Sequence, residues 1–203
     1  MKKLFLFVAL ATMTLCVSAQ EMKKFRFGPS VGLNVATMNL EQDHSSKIGF
    51  NIGAIAEYNF TDNFFLASGL KYSMKGVTWE KVMPNGADLK ANPGYLEIPI
   101  HGGARYCIND KFNIFAEFGP YFAVGVSGKY KADGYSEYVE GFYDEAQGDL
   151  QGKRFDFGLG FVVGAEYSNI QLRIGYDLGL IGVFDVSNSA KNRNLFINVG
   201  YMF

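Results

Sequence analysis

The chain has 203 residues, room for one or at most two domains. Its net charge of −1 gives no basis for a nucleic-acid partner, and 24 glycines, 16% aromatics and only five prolines are not the composition of a disordered chain. With two cysteines, one of them at position 16, the sequence offers neither a zinc site nor a disulfide framework.

Residues 1–19 read as a secretory signal peptide. Lys2 and Lys3 form a basic start, residues 4–17 are an apolar run short for a membrane span, and Val17-Ser18-Ala19 supplies small residues at the cleavage point. Residues 20–203 are then the exported domain. Loss of two lysines takes its net charge from −1 to −3. Cys107 is left alone and is expected to pack as a small apolar residue. The exported part has no second long apolar stretch, so a membrane location requires a closed barrel.

Eight segments alternate at period two, the pattern of half-buried strands. They are residues 25–37, 47–60, 64–76, 94–107, 112–127, 154–167, 170–182 and 194–203. In the first, Phe25, Phe27, Pro29, Val31, Leu33 and Val35 share one face, opposite Arg26, Gly28, Ser30 and Asn34. The last repeats this with Leu195, Ile197, Val199, Tyr201 and Phe203. Connections alternate in length. Residues 61–63, 108–111 and 168–169 are short; residues 38–46, 79–93, 128–153 and 183–193 are long. The spacing predicts an all-β fold: an eight-stranded antiparallel up-and-down transmembrane barrel with short periplasmic turns and long extracellular loops. Pro29, Pro99 and Pro120 fall inside these strands and are expected at bulges or outside the hydrocarbon core.

A soluble barrel also alternates, but with its apolar face inside. Here the apolar faces of all eight segments lack Asp, Glu, Lys and Arg, and the other faces are rich in Gly, Ala, Ser and Asn. Aromatics gather beside the short turns, as in an interfacial girdle. The apolar face is therefore assigned to lipid. Arg26, Lys47, Lys71, Lys75, Arg105 and Arg173, with Glu57, Glu97, Glu117, Asp156, Glu166 and Asp177, then face the lumen, and so does Arg154. Buried charges need partners. These residues, with His101, are expected to form a lumen charge network that plugs the barrel. A thin ion-conducting lumen is the alternative.

The run Tyr95-Leu96-Glu97-Ile98-Pro99-Ile100 resembles a strand of the PorT-like outer-membrane β-barrel family of Bacteroidota. Residues 68–76, Gly119-Pro120-Tyr121-Phe122 and Arg154-Phe155-Asp156-Phe157-Gly158 resemble other strands of that family. The resemblance covers the exported chain. It implies an eight-stranded barrel in the cell outer membrane, with a branch linked to type IX secretion, and it carries over no catalytic residues.

No nucleophile elbow, phosphate loop, cofactor site or metal-ligand spacing appears. Asp43-His44-Ser45 has the residue types of a catalytic triad, but neighbours in one loop rarely converge. The expected role is non-enzymatic: structural, surface-interacting or part of an envelope machine. An enzyme acting on lipid or peptide is the alternative. The expected partners are outer-membrane lipid and lipopolysaccharide, a protein at loop 128–153, and the barrel assembly machinery, read through an assembly signal of Tyr201 and Phe203. Residues 133–149 are expected to be removable without loss of folding.

Overall fold

A computed structural model describes residues 24–39, 44–81, 86–132, 139–140, 142–143, 151–184 and 190–203. The signal-peptide reading of residues 1–19 lies outside them. Ten strands form: β1 Phe25–Met38, β2 His44–Asn59, β3 Phe64–Met74, β4 Val77–Trp79, β5 Leu89–Asn109, β6 Phe112–Ala132, β7 Val139–Glu140, β8 Phe155–Tyr167, β9 Ile170–Gly182 and β10 Lys191–Tyr201. Eight of them make a closed antiparallel wall in the order β1-β2-β3-β5-β6-β8-β9-β10, with β10 returning to β1. β4 prolongs β3 past a break at Lys75-Gly76, pairing with both β2 and β5, and β7 is a two-residue addition to β6.

The register fixes the size of the wall. Aligned partners followed from Phe25 run through Tyr58, Leu66, Gly102, Phe118, Phe161, Tyr176 and Leu195. They return to β1 at Val35, a stagger of ten residues from 25 to 35. At ~3.3 Å per residue and ~4.8 Å between strands, eight strands with that stagger tilt by about 41° and enclose a backbone radius of about 8 Å. Side chains fill a cylinder of that width.

The short connections are made by local hydrogen bonds. The Thr61 hydroxyl accepts from the amides of Asn63 and Phe64, and the Asn109 side chain accepts from those of Lys111 and Phe112. Ser168 takes the left-handed conformation (φ 56°) that a two-residue hairpin turn demands.

Four strands differ in their bounds from the sequence reading. β5 and β6 are 21 residues each, running outward into the expected long connections, and β2 and β10 also begin earlier. The reason is an apolar cluster inside this outer extension. It comprises Met38, Val77, Trp79, Ala91, Tyr130, Phe142, Tyr143, Val183, Phe184 and Ala190. Burying these side chains favours carrying the wall beyond the lipid band.

The prolines correct the sequence expectation. The register shifts lie at Gly94/Tyr95, Cys107/Asn109 and Lys191/Arg193, not at proline. Around Pro99 the partners stop at Ser68↔Ile100 and resume at Lys71↔Glu97 in unchanged register. Pro120 likewise interrupts the β5–β6 ladder between Pro99↔Tyr121 and Gly102↔Phe118. An extended strand tolerates the proline ring, and what is lost is one N–H. Ser68 Oγ donates to the Pro99 carbonyl at 2.9 Å, an added bond across the interrupted seam. Cys107 is also corrected: it is exposed, at the inner end of β5.

Candidate functional site

The outer face is apolar and exposed from Phe25 through Val31, Leu33 and Val35 on β1 to Leu195, Ile197, Val199, Tyr201 and Phe203 at the end of the chain. Tyr58, Phe60, Phe64, Tyr106, Tyr167 and Tyr201 stand exposed beside the short turns. Tyr201 and Phe203, the expected assembly signal, lie on this outer face. Phe203 closes the seam by donating its amide to the Phe27 carbonyl at 2.8 Å, and its ring meets Phe27 and Tyr201.

The inner face holds the candidate site, which is built in layers. The layer nearest the short turns centres on Glu57. Arg105 Nη2 lies 2.5 Å from Glu57 Oε2, Arg26 Nη1 lies 3.4 Å from it, and Arg173 Nη1 is 3.7 Å from Oε1. Gln171 bridges Glu57 and Glu166 through one amide nitrogen, at 2.8 and 2.7 Å. Arg26 reaches on to Glu166 at 2.7 Å, and Arg173 to Glu117 at 2.5 Å. His101 Nδ1 is 3.5 Å from Glu117 Oε2. Three arginines thus face three glutamates, and the shared hydrogen bonds offset the cost of taking these charges out of water.

The next layer holds Lys71 and Lys75. Lys71 Nζ lies 2.8 Å from Glu97 and 3.7 Å from Asp177. Lys75 Nζ lies 2.9 Å from Glu97 and 3.6 Å from Asp156. Asn194 donates to Asp177, and Asn192 and Tyr121 donate to Asp156. An uncharged network of Asn34, Asn51, Asn198 and Ser73 links the inner faces of β10, β1, β2 and β3.

Lys47 keeps the inward phase of β2, opposite the buried Ala36, but stands apart from the ion pairs of the lumen. Among the described residues it has no carboxylate partner, and the charges acting on it are those of Lys90 and Lys131. It precedes Ile48, the first lipid-facing residue of β2, so it stands above the acids of the lumen. Arg154 is exposed; it donates to the Gly125 carbonyl and lies over the Tyr143 ring.

Sequence reasoning did not join the rings of the lumen to its cations. Phe65 lies under the Arg105 guanidinium at 4.5 Å, Phe115 under Arg173 at 5.3 Å, and Phe196 under Lys71 at 4.4 Å. Lys75 Nζ sits 4.6 Å from the Tyr121 ring and 5.4 Å from that of Tyr95. Such contacts strengthen when desolvated. A signal was present: Phe65, Tyr95, Phe115 and Tyr121 fall in phase with a lumen cation or acid on their own strands, and Phe196 in phase with Asn194 and Asn198.

Above Tyr95 and Tyr121 the apolar cluster closes the outer mouth. Phe142 and Tyr143, from the third long connection, drop into it against glycines. A Cβ on Gly125 would meet the Tyr143 ring at 2.2 Å, and one on Gly152 the Phe142 ring at 2.1 Å. Burial pushes the Tyr143 hydroxyl above the ordinary tyrosine range. Residues 133–149 contain two rings of the cap, so their removal is expected to open the cap, while the ladders of the wall do not depend on them. The acids Asp133, Glu137, Asp144, Glu145 and Asp149 lie outside the described residues, and of Glu140 only the backbone is described.

His44 is not in a loop but opens β2, opposite Trp79. Asp43 lies outside the described residues. Among the described residues no group of three His, Cys, Asp or Glu side chains is placed to hold a metal ion.

A closed eight-stranded wall, apolar outside and filled with paired charges inside, defines a small outer-membrane β-barrel. The chain belongs to the outer membrane protein beta-barrel domain family, whose profile matches residues 18–185, and its location is the outer membrane. Among solved structures it is similar to three small barrels. Ail, the attachment invasion locus protein of Yersinia pestis, is 15% identical with a TM-score of 0.44, covering 89% of this chain and 99% of that one. Neisserial surface protein A is 15% identical with a TM-score of 0.46, covering 89% and 97%. OprG of Pseudomonas aeruginosa is 13% identical with a TM-score of 0.45, covering 88% and 94%. No curated protein matches the chain.

Proposed function

We propose that this barrel is a non-enzymatic, non-conducting scaffold whose work is done by its outer loops and rim. The observation that carries this is the double closure of the lumen. Interlocked ion pairs occupy the inner part, and a buried aromatic cluster lies across the outer part. Hydrated ions have no continuous path past buried, mutually paired charges and a layer of apolar rings. The one lumen histidine is buried beside Glu117, among paired charges and away from the outer rim.

On this reading function sits on the rim, as is usual for loops carried on a rigid scaffold. Loop 128–153, anchored through Phe142 and Tyr143, is the proposed protein-binding element. Lipopolysaccharide is the proposed lipid neighbour of the rim. Tyr201 and Phe203 are the proposed contact for the barrel assembly machinery. The PorT-like resemblance of Tyr95–Ile100 supports a place in the Bacteroidota envelope, with type IX secretion as the machine to test by pull-down from envelope extracts.

Planar bilayer recording tests closure. The purified barrel is expected to show no steady conductance. A stable open level in the nanosiemens range would overturn the reading in favour of a narrow pore.

A further inference from the structure

We infer that a depression on the lipid-facing wall, floored by Gly102, Ala104 and Ala116, holds one hydrocarbon chain of an inner-leaflet lipid. The register sets these three positions side by side. Gly102 lies between Leu66 and Phe118 in one outward row, and Ala104 and Ala116 lie between Phe64 and Val163 in the next. Phe60 and Phe64 wall one side, Phe118 and Phe161 the other, and all four rings are exposed. The depression measures about 470 Å³.

Gly102 is the telling residue. Most wall glycines are required by the wall itself: a Cβ on Gly69 would meet the Ala54 carbonyl oxygen at 2.2 Å, and one on Gly119 the Ile100 carbonyl oxygen at 2.2 Å. A Cβ on Gly102 would meet only the Phe118 carbonyl oxygen, at 4.0 Å. The packing of the wall therefore leaves room for a side chain there, and the sequence leaves the room empty.

The occupant follows from the surroundings. The depression is continuous with the hydrocarbon-facing band that makes this chain a membrane barrel. Along β5 it lies one outward residue from Ile100 and, past Ala104, one from Tyr106 in the inner aromatic ring, which places it in the inner leaflet. Glu117 borders it but turns its carboxylate inward to Arg173. It thus presents apolar surface without an exposed charge to recognise a headgroup. A void beside rigid rings forfeits dispersion contacts, and a flexible methylene chain restores them.

Native mass spectrometry of the full barrel tests this, after extraction from vesicles of palmitoyl-oleoyl phosphatidylethanolamine. The wild type is expected to retain one lipid. Gly102→Leu and Ala116→Leu are each expected to lower the lipid-bound fraction about tenfold, since each fills the space of one or two chain methylenes. Ala56→Leu, outward on β2 between Phe27 and Ser68, is the control and should retain lipid as the wild type does. Heat-modifiable mobility reports folding, and Ala116→Leu, on a different strand, carries the test if Gly102→Leu does not fold. Free oleate should compete, and glycerophosphoethanolamine, a headgroup without chains, should not. Equal lipid retention in all variants, or competition by the headgroup alone, would overturn the inference. So would a wild-type dimer that Gly102→Leu dissociates, since that assigns the depression to a second copy.

Discussion

Glu57 is the residue on which the lumen turns. It accepts from Arg105, Arg26 and Gln171 and lies within 3.7 Å of Arg173, so four side chains from three other strands converge on one carboxylate. Removing one member of a buried ion pair leaves the remaining charges uncompensated, which typically costs about 3–5 kcal/mol. Glu57→Gln keeps the shape and one acceptor but strands the guanidinium of Arg105. It is expected to lower unfolding free energy in urea by about that amount. The double variant Glu57→Leu with Arg105→Leu should cost less than Glu57→Gln, because it removes both charges together. A double variant that proves worse would show that the pair contributes net stability beyond mutual compensation.

At the scale of the element, the strands show what a sequence does and does not disclose. Alternation with charge-free faces marked each wall strand, because lipid outside and a packed lumen inside impose opposite chemistry on neighbouring residues. The acids and bases of the lumen were legible for the same reason. Their pairing was not, since Glu57 and Gln171 are 114 positions apart and meet only through the register. The extensions of β5 and β6 were hidden as well. Residues 89–93 and 128–132 carry lysines and glycine that read as loop, and the partners that bury Ala91 and Tyr130 come from distant segments. The prolines were misread because a bulge is the usual remedy, whereas here the register runs straight past a missing N–H.

The closing strand gives the element-scale prediction. β10 pairs with β1 from Ser30↔Gly200 to Met38↔Asn192, and beyond it the Phe203 amide adds the bond to Phe27. Deleting Phe203 removes that bond and one ring of the inner girdle, but leaves the β1–β10 ladder intact. Surface level measured by protease accessibility in intact cells is expected to fall sharply. Refolding of the same variant into detergent should remain near wild type, which places the defect in assembly rather than stability. Unchanged surface level would remove Phe203 from the assembly signal.

At the scale of the whole molecule, two structures of different origin are stacked along one axis. The wall is held by continuous backbone ladders between eight strands. The cap is held by side-chain packing among β4, the ends of β5 and β6, and the short stretches at 142–143 and 183–184. Regions held by fewer ladder bonds open at lower free energy than the main fold. Trp79 reports on the cap alone: it is the single tryptophan, it is 6% exposed, and its ring lies 6.0 Å from Phe184 and 6.4 Å from Tyr130. Its fluorescence is therefore expected to shift to the red at a lower urea concentration than the change in gel mobility that marks loss of the wall. Phe142 is fully buried in the cap, so Phe142→Ala should advance the fluorescence transition and leave the mobility transition in place. The expected loss is about 3–5 kcal/mol if the cavity stays open, and less if the cap collapses around it. Coincident transitions in both proteins would mean that cap and wall unfold as one cooperative unit, and the outer mouth would then open only when the barrel itself is lost.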